Sequence, residues 1–112
     1  MSRAFDAEKH EIGRTAEGTV YEQCVVLQSN DSSGQLTANV SSITGKAKRY
    51  WFGAMLHEYK ETTTLTKGAT PIPYFSSSSD CCYLWIYGSL LNVKWAGMTT
   101  AHVFSVNIRW IE

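Results

Sequence analysis

The chain has 112 residues, ten Lys and Arg balanced by ten Asp and Glu, and a hydrophobic fraction of 44%. That length makes one domain, and a chain of this size buries roughly 65% of its unfolded surface in one core. The balanced charge excludes general nucleic-acid binding, which needs a basic field facing the phosphates, and no apolar run reaches the length of a membrane-spanning helix.

In chain order, residues 1–17 read as a short N-terminal helix or arm. Ser2 is a possible N-cap, Phe5 and Ile12 share a helical stripe, and Gly13 is a possible stop. A β domain is expected over 18–112. Thr19–Gln28 is rich in β-branched residues, and the Asn, Asp, Ser and Gly of 29–34 form a turn. Gln35–Thr44 alternates through Leu36, Ala38 and Val40, and Gly45-Lys46 is expected to close a hairpin into Ala47–Lys60. Thr62–Thr66 is another β-prone run. Pro71 and Pro73 confine the next segment to an edge or loop, because proline cannot donate to a sheet ladder. A serine tract turns the chain into Cys81–Tyr87, and Leu90–Trp95 and Thr99–Ile111 follow. About seven strands at this spacing predict an all-β fold, an antiparallel β-sandwich or flattened barrel.

Side chains alternate across a strand, so each strand has two faces to sort. In Thr99–Ile111 the residues His102, Phe104, Val106, Ile108 and Trp110 form an apolar face, with Asn107 and Arg109 opposite. In Ala47–Lys60, Tyr50, Phe52, Ala54 and Leu56 face the core, while Arg49, Trp51, His57 and Tyr59 face away. In Cys81–Tyr87, Cys82, Leu84 and Ile86 suit the core, and Tyr83, Trp85 and Tyr87 line the other side. Leu91, Val93 and Trp95 supply another core row, with Asn92 and Lys94 opposite.

If the three strands are neighbours, their second faces merge into one aromatic and polar surface. The candidate ligand-binding residues are therefore Arg49, Trp51, His57, Tyr59, Tyr83, Trp85, Tyr87, Asn107 and Arg109. Such a surface suits a carbohydrate, whose C–H faces stack on rings while its hydroxyls take hydrogen bonds. It also suits a protein partner or a homo-oligomer, since Tyr, Trp and Arg are enriched at interfaces. Exposed Trp and Tyr at the headgroup level of a membrane make a third reading.

No phosphate loop, nucleophile elbow, HExxH or CxxC is present, so the expectation is a non-enzymatic binding module without metal or cofactor. Three cysteines are an odd number and are expected as thiols, with a bridge from Cys24 to Cys81 or Cys82 as the alternative. The first residues lack the apolar core of a signal peptide, so a cytoplasmic or non-classically secreted soluble protein is expected. The all-β layout and aromatic clusters resemble small soluble lectins and membrane-targeting cytolysins at the level of fold alone, and fold does not fix function.

Overall fold

Strand β9 (His102–Ile111) runs through the middle of a five-stranded sheet with β2 (Gly18–Ser29) on one side and β4 (Arg49–Glu58) on the other. The structure, a computed structural model, describes residues 8–58, 68–98 and 101–112. The sheet is completed by β1 (His10–Thr15) beyond β2 and by β5 (Gly68–Ile72) beyond β4. A four-stranded sheet faces it, in the order β3 (Ser33–Asn39), β8 (Leu90–Ala96), β7 (Asp80–Tyr87), β6 (Tyr74–Ser77). All paired strands are antiparallel, and the fold is the expected β-sandwich, with nine strands among the described residues.

The alternation in β9 sorts as its sequence requires. Phe104, Val106 and Ile108 are fully buried and Trp110 nearly so. They pack in two clusters along the sandwich. One gathers Leu56, Ile72, Cys82, Val93, Trp95, Met98 and Phe104. The other gathers Val40, Ile43, Leu91, Val106, Ile108 and Trp110. Trp95 ties the first cluster together. Its ring lies 5.0 Å from that of Phe104 and 5.4 Å from that of His102, and its indole N–H donates to the Asp31 carbonyl at 3.0 Å. A large ring in a core needs that hydrogen bond, because an unpaired buried donor is costly. Gly34 lies opposite Trp95 in the β3–β8 ladder, and a β-carbon there would meet the indole at 3.3 Å. The β7–β8 turn is Gly88-Ser89, and Gly88 has φ +62°, the left-handed geometry a two-residue hairpin asks of its first residue.

Three expectations are corrected. The helix over 2–12 does not extend through His10–Ile12, which belong to β1, and the sheet begins there rather than at residue 18. Ladder bonds to β2 satisfy this backbone where an isolated short helix would not hold, and a bulge between Glu11 and Gly13 leaves Ile12 out of the register. The strand Gln35–Thr44 stops at Asn39, and Ser41–Thr44 forms one helical turn, α1. Its Ile43 is 1% exposed and plugs one end of the core, so burial of a single side chain overrides the β pattern. The hairpin across Gly45-Lys46 is absent, because α1 carries the chain from the small sheet to the large one. Thr62–Thr66 lies outside the described residues.

Ile108→Ala removes the centre of the second cluster and is expected to lower stability by about 2–5 kcal/mol in a denaturant titration. Asn107→Ala, on the outer side of the same strand, is expected to cost about 1 kcal/mol, the worth of one partly exposed hydrogen bond.

Candidate functional site

The candidate residues divide between the two outer faces of the sandwich. Strands β4 and β9 are neighbours in the large sheet, while β7 belongs to the small one. Arg49, Trp51, His57, Asn107 and Arg109 therefore share the outer face of the large sheet, and Tyr83, Trp85 and Tyr87 lie on the outer face of the small sheet. The single merged surface does not form. Tyr59 lies outside the described residues.

On the large sheet the polar groups are turned toward the protein's own carboxylates. Arg109 Nε donates to Glu22 Oε2 at 2.7 Å, and Asn107 Nδ2 donates to the same oxygen at 3.1 Å. Both bonds hold the Glu22 carboxyl below the ordinary glutamate range, the Arg109 bond most strongly and the Asn107 bond next. Arg49 forms an ion pair with Glu17. Trp51 lies opposite Arg109 and is 44% exposed. Beside it Gly53 leaves a gap, with no atom within 4 Å of where a β-carbon would stand.

On the small sheet the aromatic groups and polar groups form rows. Across the ladders, Trp85 is followed by Asn92 and Thr37, Tyr83 by Lys94 and Gln35, and Tyr87 by Leu90 and Asn39. The rings of Tyr83 and Trp85 lie 5.8 Å apart and are tilted by only 27°. Both are half-buried, while Tyr87 is 81% exposed. Strand β7 is thus not buried on both faces. Asn92 is held flat in the sheet. Its Oδ1 accepts from Thr37 Oγ1 at 3.0 Å and from Gln35 Nε2 at 3.5 Å, and its Nδ2 donates to the Leu90 carbonyl at 3.2 Å. Gln35, Thr37, Asn39 and Lys94 are exposed beside the rings. The result is a stacked aromatic stripe bordered by amides, a hydroxyl and one ammonium group.

Gln35, Thr37, Asn92 and Lys94 were not among the candidate residues. Their signal was present in the alternation of Gln35–Asn39 and in the polar positions of Leu90–Trp95. What was missing was the pairing that sets β3 and β8 beside β7.

The cysteines are all free thiols. Cys24 sits opposite Asn107 on the outer face of the large sheet, Cys81 on the outer side of β7, and Cys82 in the core, so no two of them point at each other across the sandwich. Burial pushes the Cys82 thiol up to about 12 and raises Cys24 as well. A thiol so placed stays protonated at neutral pH and is a poor nucleophile.

Comparison with family models, with curated proteins and with solved structures found no match to this chain.

Two outcomes are expected from these arrangements. A thiol reagent at pH 8 should leave Cys82 unmodified in the native protein, and all three cysteines should react once the chain is unfolded in denaturant, as counted by mass spectrometry. The Glu22 carboxyl has a lower pKa folded than unfolded, so its contribution is present above the unfolded value and lost as pH falls through the folded one. Stability should therefore decline as pH drops below about 4.3, the unperturbed glutamate value. Glu22→Gln should make that acid limb shallower in thermal melts at a series of pH values.

Proposed function

We propose that the protein is a non-enzymatic binding module whose ligand is a carbohydrate, taken on the outer face of the small sheet. The observation that carries this reading is the Tyr83–Trp85 stack standing next to the Asn92–Thr37–Gln35 hydrogen-bonded row. A pyranose presents an apolar C–H face and a rim of hydroxyls. The two rings offer a flat apolar surface for the first, and Gln35, Thr37 and Lys94 offer donors and acceptors for the second. Asn92 works through its neighbours. Its Oδ1 accepts from Thr37 and Gln35 and its side chain is largely buried, so its role is to hold Thr37 and Gln35 in place.

The large sheet's outer face supports this chemistry less well. Asn107 and Arg109 are committed to Glu22, and Arg49 to Glu17. A sugar hydroxyl there has to compete with a charge-assisted bond, which is about twice as strong as a neutral one. The small-sheet face carries one basic residue, Lys94, and no carboxylate in the three rows, so a neutral glycan fits it and a polyanion does not.

Trp85→Ala is expected to abolish retention on a glycan array, a loss of at least about 2 kcal/mol for an aromatic anchor. It should shift the melting temperature much less than Ile108→Ala does. A wild-type protein that binds no glycan above background overturns the reading. So does a Trp85→Ala variant that unfolds, since the ring would then belong to the core.

A further inference from the structure

The aromatic stripe of the small sheet is longer than the Tyr83–Trp85 stack. Tyr87 is 81% exposed and Phe75 is 69% exposed, the two highest values for large hydrophobic side chains among the described residues. They stand at opposite ends of the stack. Tyr87 follows Trp85 on the outer face of β7, and the exposed Leu90 pairs with it across the turn. Phe75 pairs with Cys81, which precedes Tyr83 on that face, so it joins the same surface from β6. The stripe thus follows β7 from the level of Cys81 to Tyr87, roughly 20 Å at the rise of an antiparallel strand. Neither terminal ring fills the core. Exposed apolar side chains gathered on one line mark a contact site, as single scattered ones do not.

The polar groups beside the stripe repeat with it. Across the two ladders Tyr83 leads to Gln35, Trp85 to Thr37 and Tyr87 to Asn39, and all three polar residues are exposed. Each ring therefore has a hydrogen-bonding side chain at the same offset. Neither ladder has a register shift, so the rows recur at a regular interval. The row at Phe75 adds Cys81, Ala96 and Ser33 and no charge. A single sugar is one ring wide and covers only part of this surface. A ligand that repeats along its length covers all of it.

We infer that the ligand is a linear, neutral oligosaccharide of equatorially linked pyranoses, lying along β7 from Phe75 to Tyr87. This inference rests on the carbohydrate reading of the face and specifies the form of the ligand. Shape selects the linkage. Equatorial bonds at both ends of each sugar keep the chain extended as a flat ribbon, so successive C–H faces meet successive rings. Axial bonds wind the chain into a helix, which leaves a straight stripe after a short contact. Equatorial hydroxyls project from the edges of the ribbon, toward the side on which Gln35, Thr37 and Asn39 stand. Charge selects a neutral chain. Lys94 is the one charged side chain in these rows, so a chain with an acid on every sugar would meet a counter-charge only once. Each additional ring engaged adds its own apolar contact, and the gain ends where the stripe ends.

Isothermal titration calorimetry with oligosaccharide ladders tests this, from disaccharide to hexasaccharide. The probes are β-1,4-linked oligomers of glucose, xylose and N-acetylglucosamine, with α-1,4-linked glucose oligomers as the contrast. Wild type is expected to bind at least one β-linked series, tightening by about tenfold or more with length and then levelling off. Tyr87→Ala and Phe75→Ala should keep near-native melting temperatures, bind the disaccharide as wild type does, and each lose about tenfold on the hexasaccharide. Trp85→Ala should lose every length. Affinity that does not change with length overturns the inference, as does equal binding of the α-linked series, or a loss in the Tyr87 and Phe75 variants that is the same at every length or absent. A wild type that binds none of these ladders but does bind another glycan overturns it and leaves the carbohydrate reading standing. Binding to no glycan at all overturns both. A wild type of that kind that sediments with phosphatidylcholine vesicles, and loses this with Phe75→Ala, replaces both with a membrane surface.

Discussion

The ladders on either side of β9 share one register. Over the ten residues His102–Ile111, β9 pairs with β2 along one edge and with β4 along the other, with no bulge in either ladder. A slip of one residue in either partner would turn that strand over, exposing its apolar side and burying charge. Burial of Phe104, Val106, Ile108 and Trp110 therefore determines where Leu56, Ala54, Val25 and Leu27 stand, and equally which side chains of β2 and β4 are left outside. The ion pair of Arg109 with Glu22 and the exposure of Trp51 follow from the same alignment.

The small sheet depends on the large one through Trp95 and α1. The indole closes one end of the core against His102 and Phe104, and Ile43 closes the other against Ile108 and Trp110. Between these two closures the inner sides of β7 and β8 pack, and their outer sides are released to carry Tyr83, Trp85 and the row through Asn92. The stacked rings are held by neighbours on rigid strands rather than by a loop. This arrangement lowers the entropy cost of ordering them. The mismatch in length between β4 and β5 has a separate consequence. The first half of β4 has no β5 beside it, and its aromatic residues stay wet.

The separation of two aromatic surfaces onto opposite sides of the sandwich gives the protein two independent faces. On one, stacked rings alternate with amides and hydroxyls, which suits a ligand with both apolar and polar edges. On the other, Tyr50, Trp51 and Phe52 stand exposed in succession along β4.

Within each strand, the sequence alone determined the faces. Alternation is a local property, set by the geometry of an extended backbone, and it separated Phe104 from Asn107, Leu84 from Trp85, and Val93 from Asn92 without reference to any other strand. It also confined the β5 segment to an edge or loop, since a proline has no ladder donor wherever it lies, and the structure makes it an edge. The partnership between strands was decided only by the tertiary structure. Pairing joins residues as far apart as Glu22 and Arg109, or Gln35 and Lys94, and nothing in the local pattern of either strand names the other. So the nine candidate side chains could be assigned to second faces but not to a common one, and the polar row beside Trp85 stayed hidden. The strand at His10–Thr15 and the helical turn at Ser41–Thr44 were missed for the same reason. Short segments take the form that their packing partners stabilise, here the free edge of β2 for one and the open end of the core for the other.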